Sequence, residues 1–197
     1  MTSVPISSPL ILASRSPRRR DLLREAGYRF TVMPASDEAE AESGGDETAT
    51  ALVARLARQK AADVASRVES GVVLGADTVA ECGGQILGKP TDARHAREML
   101  TLLRGREHYV HTGVCLWRRP DDRVEVTVDT TTLVMDAIND AQLAEYLDSG
   151  AWEGKAGAFG YQDRLGWIKV VEGSESNVVG LPMELLAQML GEMDQSP

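Results

Sequence analysis

Residues 10–20 read Leu10-Ile11-Leu12-Ala13-Ser14-Arg15-Ser16-Pro17-Arg18-Arg19-Arg20, and no other stretch says as much about the fold. The four opening apolar residues predict a buried strand. Ser16 is placed to cap the helix that follows, and Pro17 suits the first helical position, because the N–H that it lacks would be unpaired there. Backbone N–H groups at a helix start, with guanidinium groups beside them, form an anion site. The stretch therefore predicts a strand that leads into a site for a small phosphorylated ligand.

The rest of the chain alternates between strand and helix patterns. Strands are predicted at 9–13, 28–32, 72–74, 85–87, 109–117, 124–134 and 168–171, and the strand at 72–74 runs on through 75–79. Helices are predicted at 17–26, 52–66, from about 92 to 104, from about 140 to 147, and after Pro182 through Met189. A turn at 120–122 makes the two long strands an antiparallel hairpin. This pattern favours a mixed sheet flanked by helices over a purely parallel, doubly wound sheet.

Length and charge narrow the classes of function. The 197 residues predict one domain over 1–197, with a polar tail at 191–197 that is expected to fray. The formal net charge of −9 argues against general binding to nucleic acid or anionic membranes, because that affinity comes from clustered Lys and Arg. No apolar run approaches the ~20 residues that span a bilayer. Cys82 and Cys115 have no metal-type partner, and no secretory signal is visible, so we expect reduced thiols in a cytoplasmic protein.

Several single residues are candidates for chemistry. Asp77 follows a buried strand beside two small residues, where a carboxylate can bind Mg²⁺ or orient a water; a turn-forming Asp is the alternative. Lys89 lies between a glycine and a proline, where an ammonium suits a phosphate oxygen. Lys60 lies on a regular amphipathic helix, where a solvated lysine is expected. Ser14 and Ser16 are interpreted as turn and cap hydroxyls, since no Gly-x-Ser-x-Gly pattern marks a nucleophile.

Four blocks of sequence together resemble the Maf family of nucleoside triphosphate pyrophosphatases. They are LASRSPRR at 12–19, LGADTV at 74–79, GKP at 88–90, and KAG at 155–157 continued to Gln162, with support from RLARQKA at 55–61 and GSESNVVGLP at 173–182. The resemblance implies an α/β fold of the Maf/ITPase-like type, with an elongated mixed β-sheet flanked by helices and two lobes around a central cleft. It also implies a homodimer.

The resemblance further implies hydrolysis of a nucleoside triphosphate to the monophosphate and pyrophosphate, with a divalent cation, Mg²⁺ or Mn²⁺. Asp77 matches the family's catalytic acid, taken as the base that activates water, and is also expected to bind the metal together with Glu38. The positions expected to bind substrate are Ser14, Arg18, Lys60 and Lys89. Cations there would stabilise charge that develops on the phosphoryl oxygens.

Under this resemblance, three positions imply which nucleobase of the substrate the protein recognises. The branch that resembles 7-methyl-GTP hydrolases has Trp, Gln and Glu where this chain has Arg18, Thr78 and Gln162, which is the pattern of the dTTP/UTP branch. A glutamine amide offers an acceptor and two donors, so Gln162 can pair with the N3–H and a carbonyl of uracil or thymine. Asp163 and Arg164 then depart from the family's Gly-Leu-Gly, and their bulk and charge could reshape the base pocket.

Two other classes of function compete with the hydrolase. One is a nucleotide-binding regulator of cell division that binds without turnover, which would not need a water-activating carboxylate. The other is a nucleic-acid-binding protein that uses the arginines at 18–20, which the acidic net charge disfavours. Release of pyrophosphate distinguishes the hydrolase from both.

Overall fold

The structure is a computed structural model that describes residues 8–40, 47–163 and 165–195, apart from the side chains of Glu40 and Gln162. The chain forms two compact units. The first comprises 1–77, 112–129 and 180–197, and the second comprises 78–111 and 130–179. Among the described residues, no helix has the length and apolar character needed to cross a bilayer.

One mixed sheet carries all the strands of the described chain. The strands are β1 (Leu10–Leu12), β2 (Phe30–Val32), β3 (Gly71–Cys82), β4 (Gln85–Leu87), β5 (Glu107–Arg119), β6 (Arg123–Met135) and β7 (Ile168–Glu172). Their order is β2-β1-β3-β5-β6-β7, with β4 paired to β3. β1 is parallel to β2 and β3, whereas the β3–β4 and β6–β7 pairs are antiparallel. The prediction of a mixed sheet flanked by helices is confirmed.

The helices match the predicted pattern, with differences at their ends. They are α1 (Pro17–Glu25), α2 (Ala49–Ala65), α3 (Ala93–Leu103), α4 (Asp140–Asp148), α5 (Glu175–Val179) and α6 (Met183–Gln195). The α2 helix begins earlier than predicted, because the Thr48 hydroxyl accepts a hydrogen bond from the Ala51 N–H and caps it there. The five-residue α5 helix was not predicted, since it is too short for a periodic pattern.

The C-terminal prediction is wrong for residues 191–195. These residues continue α6, and Met193 is buried in the core of the first unit. The Arg118 guanidinium also donates to the Met193 carbonyl, over 2.6 Å, at the helix end, where carbonyl groups lack intrahelical partners. Burial and this contact outweigh the polar composition that suggested fraying. Residues 196 and 197 lie outside the described residues.

In the first unit, helices cover both faces of the strands. Even-numbered residues of β1 and β3, such as Leu12 and Leu74, pack in one core cluster with residues of α1 and α6. Odd-numbered residues, such as Ile11 and Val73, pack in another with Ala57 and other residues of α2. Strands that are buried on both faces read as continuous apolar runs, which is why β1 and the start of β3 show no alternation.

In the second unit, α3 and α4 supply the apolar face. The residues that α3 buries lie at helical spacing, at Ala96, Met99, Leu100 and Leu103. The α4 helix begins with a capping box, in which the Asn139 side chain and the Gln142 side chain each accept from the other's backbone N–H. These helices pack in one core cluster with residues of β3, β5 and β6 that belong to this unit.

Candidate active site

Close packing of α2 on the sheet positions the first candidate residues. A Cβ at Gly75 of β3 would lie 2.2 Å from the Ala57 carbonyl oxygen, and a Cβ at Gly113 of β5 would lie 2.2 Å from the Val53 carbonyl oxygen. Only glycine permits these approaches, because a real Cβ would overlap the helix backbone. The small residues beside Asp77 therefore make room for a helix, and this helix carries Lys60.

Lys60 and Asp77 form an ion pair in the first unit. The Lys60 Nζ lies 2.6 Å from Asp77 Oδ1, and the two side chains are 10% and 16% exposed. The expectation of a solvated Lys60 is therefore wrong, because α2 turns this position toward the sheet. Two charges withdrawn from water interact strongly with each other and with any charged ligand that reaches them.

The second carboxylate oxygen of Asp77 is less constrained than the first. Within the part of the chain that the structure describes, the Asp77 side chain is hydrogen-bonded to Lys60, which donates to Oδ1. Asp77 is in β3, where consecutive side chains point to opposite faces, so Thr78 does not share its face of the strand. Asp77 can thus accept a hydrogen bond from water or bind a cation through Oδ2 while Lys60 holds Oδ1.

The turn between β1 and α1 is built on Ser14. Its buried hydroxyl accepts from the Ser16 N–H over 3.2 Å and from the Arg19 Nη1 over 3.1 Å. Ser16 occupies the N-cap position of α1, but its side chain makes no capping hydrogen bond, which corrects the predicted role. Ser14 instead fixes the entry to the helix. Because it accepts both contacts, its O–H hydrogen can donate elsewhere.

The three arginines of α1 differ in their surroundings. Arg19 is buried and donates through Nε to the Gly180 carbonyl over 2.8 Å, so it connects α1 to the segment before α6. Arg18 is half-buried. Arg20 is also half-buried, and its Nε is fully buried and makes no hydrogen bond within the described residues. Successive helix residues lie about 100° apart, so the three cannot all face inward, and Arg19 is the most enclosed of them.

The segment that carries Glu38 is held at two points. Arg15 pairs with Asp37 over 2.5 Å and donates to the Ala35 carbonyl over 3.3 Å. The Ser36 N–H and hydroxyl both donate to Asp63 of α2, each over 3.1 Å. Glu38 itself is exposed and begins a 3₁₀ turn, Glu38–Glu40. The fold thus anchors the residues before Glu38 and leaves its carboxylate accessible.

Asp63 was not identified from the sequence, yet it fixes this segment. Burial opposes its ionisation, but hydrogen bonds from Ser36 and the Arg67 guanidinium outweigh that effect and hold the pKa of Asp63 below its ordinary value. Its position on a helix among other charged residues gave no signal, because an acidic helix residue is normally solvated.

The remaining predicted residues, Thr78, Lys89 and Gln162, belong to the second unit. Lys89 is exposed and follows β4, where the neighbouring Gly88 carbonyl accepts from the Gly157 N–H over 3.0 Å. This contact brings together two of the sequence blocks. Thr78 is half-buried in β3. The backbone of Gln162 lies in a 3₁₀ turn, Tyr161–Asp163, and its side chain lies outside the described part of the chain.

A largely enclosed charge cluster beside Gln162 was also missed. Lys155 Nζ lies 2.6 Å and 2.5 Å from the two carboxylate oxygens of Asp163, and the Tyr146 hydroxyl donates to Asp163 over 2.9 Å. The sequence showed that Asp163 departs from the family pattern. It could not show that two residues, 8 and 17 positions away, would satisfy the carboxylate.

The Maf-like protein family model matches residues 9–193. A dTTP/UTP pyrophosphatase of Rhodopirellula baltica is 58% identical to the chain and covers 98% of it and 85% of its own length. Proteins of the same name from Myxococcus xanthus and Pelotomaculum thermopropionicum are 46% and 41% identical; they cover 88% and 92% of this chain and 87% and 94% of their own lengths. The resemblance seen in the sequence blocks is confirmed over nearly the whole chain.

Two solved structures share the architecture at much lower identity. The Staphylococcus aureus Ham1 protein aligns with a TM-score of 0.54 at 12% identity and covers 94% of this chain and 99% of its own. A HAM1 protein from Coxiella burnetii aligns with a TM-score of 0.52 at 15% identity, with the same coverage. These matches support the α/β fold with a mixed sheet.

Proposed function

The chain belongs to the Maf-like protein family, and from this premise we propose that it hydrolyses dTTP and UTP to the monophosphate and pyrophosphate. The observation that carries the proposal is the desolvated pair of Lys60 and Asp77, 2.6 Å apart. A largely enclosed carboxylate with one oxygen outside the Lys60 contact can accept a proton from an attacking water, and an adjacent ammonium can stabilise charge on a phosphoryl oxygen.

The residues present fit a divalent cation. Asp77 and Glu38 offer hard carboxylate oxygens, and Mg²⁺ binds through one or two carboxylates together with substrate phosphates. Among the described residues no group of three His, Cys, Asp or Glu forms a dedicated metal site. In this proposal the phosphates of the nucleotide supply further ligands to the cation. When bound, the metal supplies positive charge that neutralises the triphosphate.

The chain's own groups divide the remaining tasks. In this proposal the Ser14 O–H and the Arg18 guanidinium contact the phosphates, since both belong to the segment from β1 into α1. Lys89 contributes a second ammonium, and Lys60 also orients Asp77. Gln162 pairs with the pyrimidine edge, and Arg18 and Thr78 contribute to the choice of base. The homodimer and the cytoplasmic location remain predictions.

The test is a panel of ribo- and deoxyribonucleoside triphosphates scored for pyrophosphate, with Mg²⁺, with Mn²⁺ and with chelator. We expect release from dTTP and UTP that requires the metal. Asp77→Asn should lower the rate by about 10²–10⁴, the scale of losing a positioned base. Asp21→Asn, an exposed carboxylate on α1, is the matched control and should retain the rate. Tight nucleotide binding without pyrophosphate would replace the hydrolase with the non-hydrolytic regulator.

A further inference from the structure

The Asp163 carboxylate, in the second unit, is bound by two side chains of the fold, one buried and one largely enclosed. Lys155 contacts both of its carboxylate oxygens, and the Tyr146 hydroxyl donates to one of them. The Lys155 and Asp163 side chains are only 12% and 19% exposed. A charged pair this enclosed needs good geometry to offset its desolvation, so these three residues, here named the Asp163 cluster, have little freedom to move.

Tyr146 connects the Asp163 cluster to a rigid support. It lies on α4, and its ring packs against Phe159 and Trp167, with ring centroids 5.2 Å and 5.8 Å away. Burial, with the hydrogen bond to Asp163, raises the pKa of Tyr146, so its hydroxyl keeps the proton that it donates. Aromatic contacts of this kind fix the ring and therefore the position of the hydroxyl.

The turn that bears Gln162 is closed around this cluster. The Asp163 N–H donates to the Gly160 carbonyl over 3.0 Å. A Cβ at Gly160 would lie 2.6 Å from Lys155 Nζ and 2.9 Å from Asp163 Oδ1, so the ion pair occupies the space where a side chain would be. On the other side of Gln162, the Tyr161 hydroxyl donates to Glu175 of α5 over 2.8 Å.

We propose that the Asp163 cluster, with the Tyr161–Glu175 contact, positions the backbone of Gln162 and thereby sets the discrimination between pyrimidine bases. The proposal rests on the base-reading role of Gln162 in the proposed function. Both sequence neighbours of Gln162 are anchored, one to α4 and one to α5. An amide that must match one donor and one acceptor on a base depends on such fixed placement, because a displacement of about 1 Å costs on the order of 100-fold in rate.

The test compares dTTP with dCTP, whose ring presents an unprotonated N3 and an amino group where thymine presents N3–H and a carbonyl. Tyr146→Phe removes the hydrogen bond to Asp163 and keeps the ring contacts, and Tyr161→Phe does the same at Glu175. We expect each to lower the dTTP/dCTP ratio of kcat/KM on the order of 10-fold, mainly by reducing the value for dTTP. Tyr109→Phe, which removes a hydrogen bond to Glu107 outside the cluster, is the matched control and should keep the ratio.

A purely structural role gives a different result. It would lower the melting temperature and reduce kcat/KM for both nucleotides equally, and an unchanged ratio in Tyr146→Phe and Tyr161→Phe would overturn the proposal. Asp163→Asn extends the series and should lower the ratio about 100-fold. If that variant does not fold, the two Tyr→Phe variants decide the question.

Failure of the hydrolase proposal is distinguishable from failure of this inference. The dTTP/dCTP ratio of dissociation constants is also measured by calorimetry in an Asp77→Asn background, where turnover is removed. Absence of pyrophosphate from the wild-type enzyme would remove the proposed reaction. A dTTP/dCTP ratio of dissociation constants that rises in Tyr146→Phe, because dTTP binding weakens, would sustain the positioning role, and a ratio that does not change would end it.

Discussion

Lys60 Nζ lies 2.6 Å from Asp77 Oδ1, although the two residues are 17 positions apart and belong to a helix and a strand. The pair exists because α2 approaches β3 closely at Gly75. Its position makes the two residues a single functional element in our proposal, with the carboxylate and the ammonium acting on the same phosphoryl group.

The first prediction concerns coupling within this pair. Lys60→Met and Asp77→Asn should each lower kcat/KM by about 10²–10³ or more, the scale of losing one fixed transition-state contact. In the double variant the loss in kcat/KM should be at least about 10-fold smaller than the product of the two single-variant losses, because the effects of residues that act as a unit are not additive. Initial rates of pyrophosphate release by the wild type, the two single variants and the double variant provide this comparison. Lys169→Met, which removes an exposed pair with Asp136, is the control. Fully multiplicative losses would show that the two residues act independently.

The second prediction concerns the metal. Glu38→Gln should raise the Mg²⁺ concentration for half-maximal rate by at least about 10-fold, because an amide is a weaker ligand than a carboxylate for a hard cation. Glu25→Gln changes an exposed carboxylate of α1 and should leave the Mg²⁺ dependence unaltered. Titration of the rate with Mg²⁺ decides the point. If Glu38→Gln leaves the Mg²⁺ concentration for half-maximal rate unchanged, Glu38 does not bind the metal, and Asp77 alone keeps that role.

The third prediction concerns the helix–sheet contact. Gly75→Ala should lower the free energy of unfolding by about 1–3 kcal/mol, since its Cβ would meet the α2 backbone, and it should also lower activity by shifting Lys60 from Asp77. Gly191→Ala, on α6 with open space around its Cβ, should instead raise stability by up to about 1 kcal/mol. Urea unfolding measures both. Equal effects at the two positions would contradict the close packing seen at Gly75.

The fourth prediction concerns pH. The pKa of Asp63 lies below its ordinary value of 3.8, so the ionised form stabilises the fold. That contribution is fully present above the unfolded-state pKa and is lost as the pH falls through the lower folded-state value. The free energy of unfolding of the wild type should therefore exceed that of Asp63→Asn by about 1–3 kcal/mol at neutral pH, and this difference should shrink in acid.

The control for the Asp63 prediction is Asp21→Asn, which removes the charge of an exposed carboxylate on α1. Ser36→Ala should show a smaller loss than Asp63→Asn, because it removes the hydroxyl contact and keeps the backbone one. Unfolding by urea at several pH values provides the measurement, and a difference between wild type and Asp63→Asn that is independent of pH would contradict the lowered pKa.

The sequence by itself determined the elements and the family. Apolar runs, spacing and caps predicted β1, α1, α3 and α4 closely, because local propensity and burial agree there. Only the tertiary structure decided which charged side chains are buried. Lys60 looked solvated along its helix, and Asp163 stood out only as a departure from the family pattern that could reshape the base pocket, yet each forms a desolvated ion pair. The paired residues are 17 and 8 positions apart and do not share a helix or strand, and their desolvation depends on packing that no local pattern encodes.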